Sequence, residues 1–276
     1  MGMDKGIIGF FDILGYQSFL ENSPGDASRQ VVSKLVSLKQ AMADEMRQAF
    51  SHEQDKPKVE ELVGLLNWLV FSDTILLYSQ FDGSDSPGKR SNRWIVMNFA
   101  CLLLWRRMFE YGLPLRGVVH TGEFLVQGTC FAGRAIVEAY RLSQDLNLSA
   151  CAYSRAAFSA LLRQANEPHD PLLWNWIPAW LFEYQLPRKK SSPERLVTIN
   201  PLAIFLESYE TYFKGDIRQI VHESFWKHDK DILETARAKV QNTEQFLRAC
   251  RFAIENLDES AKRMRRFEKK PEQPAS

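Results

Sequence analysis

Two aspartates interrupt otherwise apolar runs in this chain of 276 residues: Asp12 in "GIIGFFDILGY" and Asp73 in "LVFSDTILLYS". A carboxylate in such surroundings is costly to bury unless something pairs with it. A cation, a hydrogen-bonding turn or exposure at a strand end would each satisfy it. Taken singly, Asp12 reads as the N-cap of a short following helix and Asp73 as a turn residue. Taken together they suggest more. If the two strands are neighbours, both carboxylates reach one edge of a sheet, where they repel unless a cation sits between them. Two-metal sites for phosphoryl chemistry hold their ions roughly 3.5–4 Å apart and share carboxylates between them. Mg²⁺ suits such a site, because it keeps waters and takes one or two carboxylates plus substrate phosphates.

The elements that must position these residues follow from periodicity. Residues 5–12 read as a buried strand bounded by glycine, and Leu14-Gly15 as a turn into a short helix. Residues 26–50 have a helical period, with an apolar stripe of Val32, Leu35, Val36, Leu38 and Met42 and Asp26 as N-cap. "SHEQDKPK" reads as a loop, and 61–80 as two strands with a tight turn at Ser72-Asp73. The stretch 81–92 reads as a surface loop, 93–111 as a buried helix, and 113–126 as two strands broken at Thr121-Gly122. A helix over 133–147, a strand over 149–153, a helix over 155–164 and strands near 180–187 and 195–200 follow. From about 201 to 265 the chain is helical and charged, ending in a basic tail. Hairpins mixed with crossover helices predict an α+β sheet with helices packed on one face. The expected division is a catalytic domain over 1–200 and a helical extension with its tail over 201–276.

Composition narrows the class. A net charge of +1 gives no electrostatic case for a nucleic-acid or membrane-surface protein. No apolar run approaches ~18 residues, so no membrane span is expected. The start "MGMDKGIIGFF" makes a poor signal peptide and lacks the Ser or Thr of a myristoylation signal. Cys101, Cys130, Cys151 and Cys250 have no CxxC spacing and read as reduced, mostly packed thiols of a cytoplasmic protein. His120 has no second ligand at metal spacing and reads as structural. Trp174, Trp176 and Trp180 read as packing rather than a stacking surface for a base.

Four stretches together resemble the class III nucleotidyl cyclases, in order over roughly residues 6–200. "GFFDILGYQSF" is similar to the family's first metal-aspartate strand, and "VFSDTILLY" to the hairpin carrying the second. "LRGVVHTGEF" is similar to its Arg-x-x-x-His-Thr/Ser-Gly strand end, and "GRAIVEAYRLS" to the helix of its transition-state arginine. The resemblance implies a ferredoxin-like sheet. It implies that Asp12 and Asp73, with the backbone carbonyl of Ile13, hold two divalent ions, Mg²⁺ or Mn²⁺. Arg116 would contact the substrate phosphates, Arg141 would stabilise the transition state at the α-phosphate, and Lys189 or Lys190 would hold the triphosphate. It also implies a homodimer with active sites at the interface. Such a site fits the chemistry. A nucleoside triphosphate carries about four negative charges, which two divalent ions and two or three cationic side chains balance. The amides from Ile13 to Gln17 lie at a helix start and can cradle phosphate oxygens. Tyr16, near the proposed site, reads either as a contact to base or ribose or as packing.

Two departures from the family pattern bear on the substrate. Leu69 and Arg134 stand where the family's purine cyclases carry the polar pair that reads the base. A site without those partners rejects the base they serve. Arg134 supplies donors only, which suits the acceptor oxygens of uracil, or O2 and N3 of cytosine. In this respect the chain looks like the pyrimidine cyclases of bacterial anti-phage (Pycsar) systems, whose cyclic nucleotide activates a separate effector. The expected reaction is UTP to 3′,5′-cyclic UMP, with CTP as the alternative. The second departure is Val137, where the family has a ribose-binding Asn. It favours a catalytically inert, cyclase-like nucleotide-binding or interaction protein, which remains the rival reading.

Overall fold

The computed structural model describes residues 4–22, 25–50, 56–203, 215–229 and 234–269. Strand β1 (Asp4–Ile13) leads through α1 (Tyr16–Asn22), α2 (Gly25–Phe50) and α3 (Lys56–Gly64) to the hairpin β2 (Asn67–Phe71) and β3 (Thr74–Gln80). Helix α4 (Pro87–Glu110) crosses to β4 (Leu115–Gln127), which pairs with the short β5 (Cys130–Ala132) before α5 (Arg134–Asp145). Then come β6 (Cys151–Tyr153), α6 (Arg155–Asn166), α7 (Pro171–Trp180), β7 (Leu181–Leu186) and β8 (Glu194–Ile199). Three helices complete the described chain: α8 (Ile217–Trp226), α9 (Glu234–Glu255) and α10 (Leu257–Arg265).

The sheet runs β2-β3-β1-β4-β6-β8-β7, with β5 off its path. Among the described strands only β4 and β6 pair in parallel. The first four strands are joined as strand, helices, hairpin, helix, strand, and lie in the order β2-β3-β1-β4. That is the split βαβ arrangement of a ferredoxin-like core, and the chain is α+β as its sequence predicts. β1 is central. Its residues are nearly all buried, since the strand is covered on both faces. Phe10 meets Tyr140 of α5, with ring centroids 5.7 Å apart. A Cβ on Gly9, which points the other way, would lie 3.0 Å from Cys101 Sγ of α4. Helices therefore pack on both faces, not on one as expected. Close approach also explains Gly117, where a Cβ would come within 2.2 Å of the Phe11 ring.

Other expectations need correction. In α2 the buried stripe is Val31, Leu35, Leu38, Met42 and Met46, whereas Val32 and Val36 are exposed. The stripe is thus set one residue earlier at its start, at the spacing that keeps one face to the core. Residues from Lys56 to Gly64 form α3, replacing the end of an expected loop and the start of an expected strand. α4 begins at Pro87, inside the expected surface loop. Ser86 caps it by accepting from the Lys89 amide, and Pro87 has no amide that needs a partner there. Thr121-Gly122 is not a turn. β4 is continuous there because β1 pairs with it from Phe124 to Leu115. Residues 204–214 and 270–276, parts of the expected extension and tail, lie outside the described residues.

The hydrophobic core continues across residue 200. It includes Phe246, Leu247, Cys250 and Met264 together with β1 and β4. Phe246 stacks on Phe182 of β7, and Asn200 donates to the Cys250 carbonyl at 3.1 Å. Thr243 Oγ1 accepts from the Ser149 amide at 2.9 Å, and Asn242 donates to the Asn147 carbonyl at 2.9 Å. α9 is thereby fixed against the segment entering β6.

Candidate functional site

The C-terminal end of β1 is where the chemistry-bearing residues meet. Asp12 lies between its register partners Thr74 on β3 and Arg116 on β4. The Ile13 amide donates to the Asp73 carbonyl at 2.9 Å, which ties the β2–β3 turn to the end of β1. That turn is tight: Ser72 has φ 53°, in the left-handed region. Gly15, with φ 75°, turns the chain from β1 into α1. Asp12, Ile13, Tyr16, Asp73, Arg116, Tyr140, Gln144 and Lys239 all line one cleft of roughly 620 Å³.

Its electrostatics are those of a crowded, partly dry carboxylate site. Asp12 is buried, and burial is the main cause raising its pKa above the usual carboxylate value. Arg116 opposes that shift by charge and by hydrogen bond, while the charge of Asp73 adds to it. Arg116 Nε donates to Asp12 Oδ2 at 2.7 Å, and the same guanidinium donates to the backbone and side-chain oxygens of Gln144. Here Arg116 holds Asp12 in place, rather than standing free to meet a phosphate.

The donor set suits a particular kind of cation. Among the described residues no group of three or more His, Cys, Asp and Glu side chains could enclose a metal. Two carboxylates whose charges act on each other at one cleft fit an ion that keeps water and shares itself with a ligand, such as Mg²⁺. They do not fit a closed cage of protein ligands.

The other expected residues divide. Arg141 and Lys190 line a neighbouring cleft of roughly 680 Å³, with Glu138, Asp145 and Arg188. α5 separates the two clefts, and its Tyr140 and Gln144 border both. Lys189 is exposed, yet burial of its ammonium and the charges of Arg116 and Lys239 push it down to about 8, against Asp12 and Asp145. Arg134 is exposed and donates from Nε to Glu138 Oε1 at 2.6 Å. Leu69 is half-buried on β2, opposite Leu76. Neither Arg134 nor Leu69 lines the aspartate cleft, so the chain does not bring the residues expected to read the base to it. The expected amide cradle is also shorter than the sequence suggests. The Ile13 amide is taken by Asp73, and the Leu14 amide donates to the Pro114 carbonyl at 2.8 Å.

His120 is structural. Its Nδ1 bonds Ser154 Oγ at 2.7 Å, its Nε2 bonds Glu138 Oε2 at 3.1 Å, and burial lowers its pKa. Trp174 and Trp180 are buried in the core.

Sequence reasoning missed Lys239 and Gln144. Gln144 lies one helical turn past Arg141, a spacing that could have pointed to it. Lys239 lies in a charged helix 227 residues after Asp12 and has no local motif. Only the docking of α9 brings it to the cleft.

No family model matches the chain, and no curated protein matches it. Among solved structures it is similar to the adenylyl cyclase CyaB from P. aeruginosa, at 13% identity over 71% of this chain and 93% of that one, with a TM-score of 0.38. It is similar to the catalytic core of a rhodopsin-guanylyl cyclase with converted specificity in complex with ATPαS, at 10% identity over 72% and 96%, with a TM-score of 0.43. A third is the guanylyl cyclase Cya2, at 15% identity over 72% and 93%, with a TM-score of 0.35.

Proposed function

We propose that this protein is a nucleotidyl cyclase that converts UTP to 3′,5′-cyclic UMP and diphosphate. The observation that carries the reading is the single cleft holding Asp12 and Asp73 beside Arg116 and Lys239. Carboxylates alone would repel a triphosphate, and cations alone would not hold divalent ions; this cleft offers both. Asp12, Asp73 and the Ile13 carbonyl would hold two Mg²⁺ or Mn²⁺ ions. When bound, such ions lower the pKa of a ribose 3′-hydroxyl and stabilise charge on the α-phosphate.

The chain's own residues then bind and orient the substrate. Arg116 keeps the Asp12 carboxylate aimed into the cleft, and Lys189 or Lys190 meets the outer phosphates. Arg141 opens onto the neighbouring cleft of its own protomer, so its role at the α-phosphate requires a second copy. The same holds for Arg134 and Leu69 as base-contacting residues. Exposed apolar residues favour a homodimer across this edge: Val70 and Phe71 beside the Asp73 turn, Val137 and Tyr140 on α5, and Leu20 on α1. Arg134 would donate to uracil oxygens. CTP is the alternative, since cytosine also offers acceptors there. The product would act on a separate effector in anti-phage defence in the cytoplasm. Among the described residues no helix is long and apolar enough to cross a membrane. The engagement of Arg116 by Asp12 favours the rival reading of an inert nucleotide-binding protein.

The experiment is direct. ATP, GTP, CTP and UTP are incubated separately with the protein and Mg²⁺ or Mn²⁺, and products are identified by mass spectrometry. Cyclic UMP is expected. Cyclic AMP or GMP would keep the cyclase and overturn the base assignment. Bound but unconverted nucleotide would favour the inert reading.

A further inference from the structure

Three carboxylates, Asp12, Glu21 and Asp73, and two cations, Arg116 and Lys239, line the cleft. Asp12 and Arg116 satisfy each other. Lys239 is half-buried and lines the same cleft, one turn after Ala236, which lines it too. Among the described residues its ammonium has no ion-pair or hydrogen-bond partner. It is close enough to Arg116 and Asp12 for their charges to act on it, and Lys189 feels Lys239 in turn. A half-buried lysine is ordinarily paired or reaches out to water. This one is held in place, because Asn242 and Thr243, on the next turn of α9, are bonded to the segment entering β6.

We propose that Lys239 is a substrate-binding residue that grips the polyphosphate of the nucleotide, so that helix α9 supplies part of the site. The proposal rests on the reading of this cleft as a nucleoside-triphosphate site, and it adds a cation that the resemblance did not imply. Lys239 and Lys189 would then face the phosphate chain from α9 and the β7–β8 connection, with Arg116 kept on Asp12. A ligand with several adjacent negative charges suits two cations set on separate elements better than a single carboxylate would.

The test is titration calorimetry with inorganic tripolyphosphate, in EDTA and without divalent ions, on the full chain. Lys239→Met keeps the aliphatic stem and removes the charge. Its affinity should fall roughly tenfold or more, the loss of one charge-assisted hydrogen bond. Lys239→Arg should stay within about threefold of the parent. Arg237→Met removes the same charge from an exposed position on α9 and should change affinity less than twofold. The proposal is overturned if the parent protein does not bind tripolyphosphate, if Lys239→Met binds as well as the parent, or if Arg237→Met loses as much. Thermal melts check folding, and Lys239→Gln replaces the Met variant if that one is unfolded. The two readings fail separately. If nucleotides are cyclised while Lys239→Met keeps the parent's tripolyphosphate affinity, the lysine assignment fails alone. If the calorimetry comes out as expected but no nucleotide is converted, the cyclase reading fails and the polyphosphate site stands.

Discussion

Replacing Arg116 with Met should unfold this protein more readily at neutral pH, and acid should reverse the loss. The side chains of Asp12 and Arg116 are 11% and 8% exposed, and their closest oxygen and nitrogen atoms are 2.7 Å apart. Removing one partner of such a pair costs about 3–5 kcal/mol, because the other charge stays buried alone. For a chain of this size that is on the order of 10 °C in Tm. The pH dependence has a definite sign. The pKa of Asp12 in the folded protein is already above its ordinary 3.8, through burial first, with the charge of Asp73 adding to it. Without Arg116 the two largest opposing causes vanish, only the hydrogen bond from Gln144 still opposes the shift, and the pKa climbs further. A carboxyl with a raised folded pKa favours the folded state when protonated. Stability therefore rises as pH falls through that pKa toward 3.8, and is lost as pH climbs back. Urea melts at pH 7.5 and pH 5 on the parent, on Arg116→Met and on Asp12→Asn/Arg116→Met would measure it. The double variant should recover much of the loss, since no charge is left unpaired. Saturating Mg²⁺ at about a hundred times its Kd should return roughly 2.7 kcal/mol to the single variant. A single variant within about 1 kcal/mol of the parent at neutral pH, or a deficit that acid does not shrink, would refute the reasoning.

Asp12→Asn and Asp73→Asn should each cut nucleotide turnover by about a thousandfold or more while circular dichroism stays native; near-parental rates in either would remove that residue from the site. Because the ammonium of Lys189 is lowered to about 8, tripolyphosphate affinity should weaken between pH 7 and pH 9 as its charge is lost. The unfolded chain keeps that proton to higher pH, so Lys189 makes the fold more stable as pH rises from about 8 toward 10.5. A flat affinity profile over this range would detach Lys189 from the anion site. Gly117→Ala would place a methyl 2.2 Å from the Phe11 ring and should cost about 1–3 kcal/mol in denaturant melts; an unchanged midpoint would show that β1 and β4 approach less closely there.

The first strands of the core were legible because their signals are local, whereas the ferredoxin-like order was implied by the resemblance. "GIIGFFDI" reads as a buried strand, and the turn at Ser72-Asp73 separates two runs of strand length. Errors gathered where context overrides local pattern. Thr121-Gly122 has turn residues, yet pairing with β1 holds it extended. Val32 and Val36 match a helical period, but the face that meets the core is one residue away.

The site divides in the same way. The sequence alone determined that Asp12 and Asp73 would stand at strand ends, because a carboxylate breaking an apolar strand must find a partner or an edge. The resemblance added the expectation that Arg116, four residues before His120, serves the site; it stands at the start of β4. Tertiary structure decided that Arg116 is bound to Asp12, that Arg141 opens onto a different cleft, and that Lys239 reaches the aspartates from a helix far along the chain. Those outcomes depend on which faces of α5 and α9 meet the sheet. That choice comes from packing summed over many residues, which no short stretch of sequence encodes.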